Sequence, residues 1–92
     1  MMIKNNMKNI GILYINLGKE LGNLENLRDE ISNKLKSKDF IALQAMVAKS
    51  NLVSQLNKVK HLMNELDISA DKIDFEEYDE LLQELKNRST IY

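Results

Sequence analysis

The sequence predicts an all-α protein: an antiparallel helical hairpin followed by a third, shorter helix. Three observations carry that expectation. There is no proline in the 92 residues to interrupt a helix. Ile41, Ala45, Ala48, Leu52, Leu56, Val59, Met63 and Leu66 follow one another at intervals of three or four, the spacing that puts side chains on one face of a helix. A second stripe with the same period, Ile10, Tyr14, Leu17, Leu21, Leu24, Leu27, Ile31 and Leu35, precedes it. One-faced helices bury that face against each other or against a partner.

The first segment is expected over about residues 8–36. Its weakness is glycine. Gly11, Gly18 and Gly22 lie on a stripe beside the apolar one, and each costs about 1 kcal/mol of helix stability relative to alanine. Two readings stand side by side. Either the glycines let another helix come close, or they fray this one. They do not form a membrane dimer motif, because the surroundings are too polar. Residues 10–15, Ile-Gly-Ile-Leu-Tyr-Ile, also suit a short strand, although one strand would need a partner from outside the chain.

Ser37-Lys38-Asp39 is the expected break, with Asp39 or Ser37 capping the second helix through a side-chain oxygen. The second segment is expected over about 39–66. Phe40, Ile41, Leu43, Met46 and Val47 widen its apolar stripe at the start, and its second half is narrow. Two helices of matched length joined by a short break fold into a hairpin. The third segment, about 74–88, opens on Asp74 as N-cap. Glu77 sits three residues on, as in a capping box, with Ile73 and Tyr78 at the flanking apolar positions. Phe75, Tyr78, Leu82 and Leu85 form its apolar face. Lys86 and Arg88 suit its negative end.

Composition bounds the function. An apolar fraction of 43% and a charged fraction of 29% are those of a folded helical chain. There is no cysteine, which excludes disulfides and thiolate metal sites and makes a reducing cytoplasm the simplest setting. The longest apolar run, Ile10 to Leu17, is far short of the ~20 residues of a membrane span, and the first residues lack a signal-cleavage pattern. Net charge is −1 but unevenly placed. Residues 1–63 hold ten Lys/Arg and five Asp/Glu; residues 64–92 hold three and nine. An acidic helix start folding back on a basic hairpin accounts for that, as does an acidic surface that docks on a basic partner.

No catalytic constellation is visible. His61 is the one histidine, on a lysine-rich stretch with Lys58 and Lys60, and has no second imidazole or thiolate to build a metal set. The carboxylates are scattered along amphipathic helices, with no nucleophile–base pair. No glycine loop lies between a strand and a helix to cradle phosphate. Lys34, Lys36 and Lys38, with only Arg28 and Arg88 as arginines, fall short of a nucleic-acid footprint. The sequence therefore implies no enzyme, no cofactor and no nucleic acid.

The stretch from Leu66 to Tyr78 resembles an EF-hand calcium loop, which would assign Asp67, Ser69, Asp71 and Glu77 as ligands. It departs from the motif at one place. The glycine expected after Asp71 is missing, so the loop is one residue short and loses its sharp turn.

Residues 35–43, Leu-Lys-Ser-Lys-Asp-Phe-Ile-Ala-Leu, continuing through Lys49, Leu52, Leu56 and Leu62, resemble the flagellar export chaperones FlgN and FliT over about residues 17–66. The resemblance implies a cytoplasmic helical hairpin or bundle that holds the aggregation-prone helix of an export substrate. It also implies a C-terminal helix, residues 74–88 here, that shares in partner binding. Residues 38–43 are similar, more locally, to the junction in Sda, a helical-hairpin inhibitor of sporulation kinases. That implies a different class, an inhibitor docking on a host enzyme. In both readings the chain binds a protein through an amphipathic helix. Phe40, Leu43, Met46, Val47, Leu52, Leu56, Tyr78 and Leu82 are the expected contacts for a partner or for a second copy in a homodimer.

Overall fold

The computed structural model describes residues 2–37 and 40–89, with side chains from Ile10 onward. It shows three α-helices: α1, Met2–Leu35; α2, Ala42–Glu65; and α3, Glu76–Ser89. A single 3₁₀ turn, Ala70–Lys72, lies between the last two. Among the described residues there is no strand, and residues 10–15 lie within α1. The all-α hairpin with a shorter third helix is the observed fold.

α2 is the middle of the bundle. It packs along α1 on one side and α3 on the other, while α1 and α3 touch only briefly. Its inward side chains Ala45, Leu52, Leu56, Val59 and Met63 are buried. They meet Leu17, Leu24, Ile31 and Leu35 of α1 and Tyr78, Leu81 and Leu85 of α3. Leu24, Leu52, Val59 and Leu85 are essentially sealed from water, each contributing roughly 1.5–3 kcal/mol by burial. Among the described residues no polar or charged side chain is buried. The core is thus held by apolar packing alone.

Two long-range hydrogen bonds set the register. Gln55 Nε2 of α2 donates to the Glu20 carbonyl of α1 at 3.0 Å. Arg88 Nη2 of α3 donates to the Leu35 carbonyl at 2.8 Å. Arg88 therefore satisfies the end of α1 instead of its own helix end, which the sequence had suggested. The molecule measures 56 × 18 × 18 Å. α1, about 50 Å long by rise per residue, spans nearly all of that length. α2 is roughly 15 Å shorter on the same reckoning. The N-terminal part of α1 thus runs past its neighbours.

The helix ends differ from expectation in instructive ways. α2 has Ile41 at its N-cap position, with extended backbone (φ −83°, ψ 163°) and no side-chain cap. Ser37 is not the cap, and Asp39 lies outside the described residues. Because Ile41 precedes the helical turn, its side chain leaves the stripe and stands 54% exposed. Asp74 does cap α3, accepting from the Glu76 N–H at 3.1 Å. Glu77 does not complete the box. Its carboxylate lies 3.6 Å from Arg28 of α1.

α2 ends in a Schellman motif. The Ile68 N–H donates to the Met63 carbonyl at 2.8 Å and the Asp67 N–H to the Asn64 carbonyl at 3.1 Å. That closure forces Asp67 into the left-handed region, φ 56°, where glycine is the relaxed residue. Asp67→Gly should therefore raise unfolding stability by about 0.5–1 kcal/mol, read as an increase of a few degrees in the melting midpoint. A lower midpoint would mean that the Asp67 side chain makes a compensating contact.

Candidate functional site

The residues of the expected contact set divide cleanly. Phe40, Leu52, Leu56 and Tyr78 are buried in the chain's own core, at 8%, 0%, 4% and 4% exposure. They are therefore not available to a partner, because they pack together in the core that the three helices enclose. Leu82 is half-buried against the core. Leu43, Met46 and Val47 stand out in water at 63%, 53% and 56%. Leu81, absent from the expected set, is buried. Its neighbour Leu82 shares the load, since a 14-residue helix turns by 100° at each step and two adjacent leucines straddle its buried line.

The exposed face of α2 changes character along its length. Read in helical order on the side away from the core, it presents Leu43, Met46, Val47, Ser50 and Val53. It continues with Ser54, Asn57, Lys58, His61, Asn64 and Glu65. The first two turns are apolar, and beyond them the face is polar apart from Val53. An exposed leucine is ordinary, but several contiguous ones are not. Beside this face, a groove of about 310 Å³ runs between α1 and α2. Ile31 and Phe40 lie deep in it, Leu27, Leu43, Val47 and Ala48 line its sides, and Glu30, Lys34, Gln44 and Asn51 complete the lining. Lys34 and Glu30 pair with each other at 3.3 Å, one helical turn apart. The groove thus offers an apolar floor with a neutralised charged edge.

The acidic stretch does not assemble a cation site. Ser69 Oγ accepts from the Asp71 N–H at 3.3 Å and caps the 3₁₀ turn. Glu77 is turned toward Arg28 on another helix. Among the described residues no three histidine or carboxylate side chains converge on a point that could hold a metal ion. The missing glycine explains the geometry, since the loop closes as a helix cap before it can wrap an ion. His61 is exposed and lies 3.7 Å from Glu65 on its own helix.

Tyr78 is the one core residue with a polar tip. Its ring packs beneath the Arg28 guanidinium, 5.9 Å from the centroid, and lies 6.5 Å from the Phe75 ring. Burial pushes its phenol above the usual value of 10.0, and the adjacent Arg28 charge opposes part of that rise. Arg28 itself is held further up, chiefly by its hydrogen bond to Asp29 at 3.2 Å, with burial working against it.

No protein-family model, curated protein or solved structure matches this chain. Among the described residues no helix is long and apolar enough to cross a membrane.

The Tyr78 environment makes a pH prediction. The folded state keeps the phenolic proton to higher pH than the unfolded chain does. This contribution to stability is therefore complete below pH 10 and is lost as pH rises through the raised folded value. Denaturant melts between pH 8 and 11.5 should show a decline at the alkaline end that Tyr78→Phe flattens. An equal decline in the variant would assign it to other groups.

Proposed function

We propose that this chain is a non-enzymatic adaptor that holds an amphipathic helix of a partner protein. The partner helix lies on the first two turns of α2 and along the adjoining groove. The observation that carries this reading is the change of face within α2: Leu43, Met46 and Val47 are exposed in its first turns, whereas the outer face of its second half is polar. A helix lying there would cover all three and send an apolar side chain into the groove over Phe40 and Ile31, the helix-in-groove mode of recognition. Met46 suits a surface that accepts helices of differing shape. An export chaperone works in this way, and the resemblance of residues 17–66 to FlgN and FliT favours that form of adaptor. The C-terminal helix implied to bind partners in that family is committed here to the internal core by Tyr78, Leu81 and Leu85. The proposed surface is therefore α2 and the groove beside it.

Because these side chains are already in water, replacing them should leave the fold intact. Leu43→Lys with Val47→Lys is expected to shift unfolding stability by no more than about 0.5 kcal/mol per site while abolishing partner retention. The measurement is affinity purification from the source cells, followed by the mass of the recovered complex by native mass spectrometry. Recovery of a discrete complex by the wild type and its loss in the double variant supports the adaptor. Undiminished recovery by the variant would overturn it.

A further inference from the structure

From Ala42 to Asn64, α2 carries no carboxylate, and in that span it holds Lys49, Lys58 and Lys60. Lys60 is committed within the chain, its ammonium 5.1 Å from the centroid of the Phe75 ring. Lys58 is not. It lines a shallow cleft of about 350 Å³ between α1 and α2, with Asn16, Lys19, Glu20, His61 and Leu62. Lys19 and Lys58 are both exposed, and among the described residues neither has an acidic partner. The carboxylate in the cleft, Glu20, accepts from Asn23 Nδ2 at 2.8 Å, and Glu65 lies beside His61 at 3.7 Å. Against one carboxylate the cleft thus sets two lysines, and His61 as well when it is protonated.

This cleft and the apolar groove lie on one seam, between α1 and α2. Val47 and Lys58 are eleven residues apart, about 16 Å or three turns along the helix. A helix lying along the seam with apolar residues over Leu43 and Val47 therefore brings its residues three turns away over Lys19 and Lys58. Cationic residues there would meet like charge. Carboxylates would make charge-assisted hydrogen bonds to two ammonium groups that have none. A flat anionic surface would not reach Phe40 and Ile31 deep in the groove.

We infer that the partner helix is apolar at one end and acidic at the other. Its apolar residues fill the groove at Leu43 and Val47, and its carboxylates, about three turns away, pair with Lys19 and Lys58. This rests on the adaptor reading and adds to it the charge of the partner and the seam along which it lies.

Fluorescence anisotropy with two labelled helical peptides tests it. Each is about 18 residues long, enough to span both sites, with leucines on one face of one half. One carries glutamates in the other half, the second carries lysines there, and each is made in both sequence orders. In one of the two orders the glutamate peptide should bind the wild type at least about tenfold tighter than the lysine peptide at low salt, with a margin that shrinks as salt is raised. Lys19→Glu with Lys58→Glu should reverse the preference, with helicity unchanged by circular dichroism. Leu43→Gln with Val47→Gln, which adds no charge, should abolish binding of the glutamate peptide. Equal binding of the two peptides, no binding of either, or a preference that survives Lys19→Glu with Lys58→Glu would each overturn the inference. If the peptides bind equally and both are lost in Leu43→Gln with Val47→Gln, the adaptor reading stands without it. Glutamate-peptide binding untouched by Leu43→Gln with Val47→Gln would overturn both.

Discussion

The rest of this structure depends on the inward stripe of α2. Ala45, Leu52, Leu56, Val59 and Met63 form the line along which both other helices meet. α1 and α3 meet in a short contact that includes the Arg28–Glu77 pair, the Arg28–Tyr78 stacking and the Arg88–Leu35 hydrogen bond. Arg28–Glu77 is an exposed charge pair at 3.6 Å and contributes little in water. A small domain with no disulfide and no buried polar network must draw its stability from apolar burial. One stripe serving two partners is the economical way to achieve that.

The same constraint leaves surface over. A helix covered on two sides has an outer side, and helices of 34, 24 and 14 residues cannot cover one another end to end. Ile10 and Tyr14 continue the core stripe of α1, yet they stand 43% and 53% exposed. α3 begins only at Glu76, and its first turn lies beside Arg28. Their exposure follows from the unequal lengths and calls for no ligand. Leu43, Met46, Val47 and Ile15 are different. They lie on outward faces that no lengthening of the neighbouring helices would cover.

That distinction marks what was legible in the sequence. Period and proline content are local properties, so the three helices, the stripe of α2 and the Asp74 cap could be read directly. The excess of apolar residues at the start of α2 could be read as well. Which of them were excess could not, because that depends on where α3 lies. Phe40 and Leu43 look alike in sequence. One lies deep between α1 and α2 and the other stands in water, because Phe40 precedes the helix and folds back under it. Tyr78 looked like a contact residue for the same reason. The acidic loop misleads in another way: carboxylates that cap helices and carboxylates that bind calcium occupy the same kind of sequence. Only the left-handed turn at Asp67 and the reach of Glu77 to Arg28 separate the two.

The glycines of α1 carry the argument one step further. In an ordinary helix a glycine is explained by a neighbour that needs its missing side chain or by a backbone angle that only it adopts. Gly11, Gly18 and Gly22 have neither: open space surrounds each, and none has a positive φ. Together they cost about 3 kcal/mol of helix propensity relative to alanine, a large share of the stability that a domain of this size commands. Open space at all three means that no contact among the described residues uses the close approach they permit, so α1 carries their propensity cost unrepaid within the bundle.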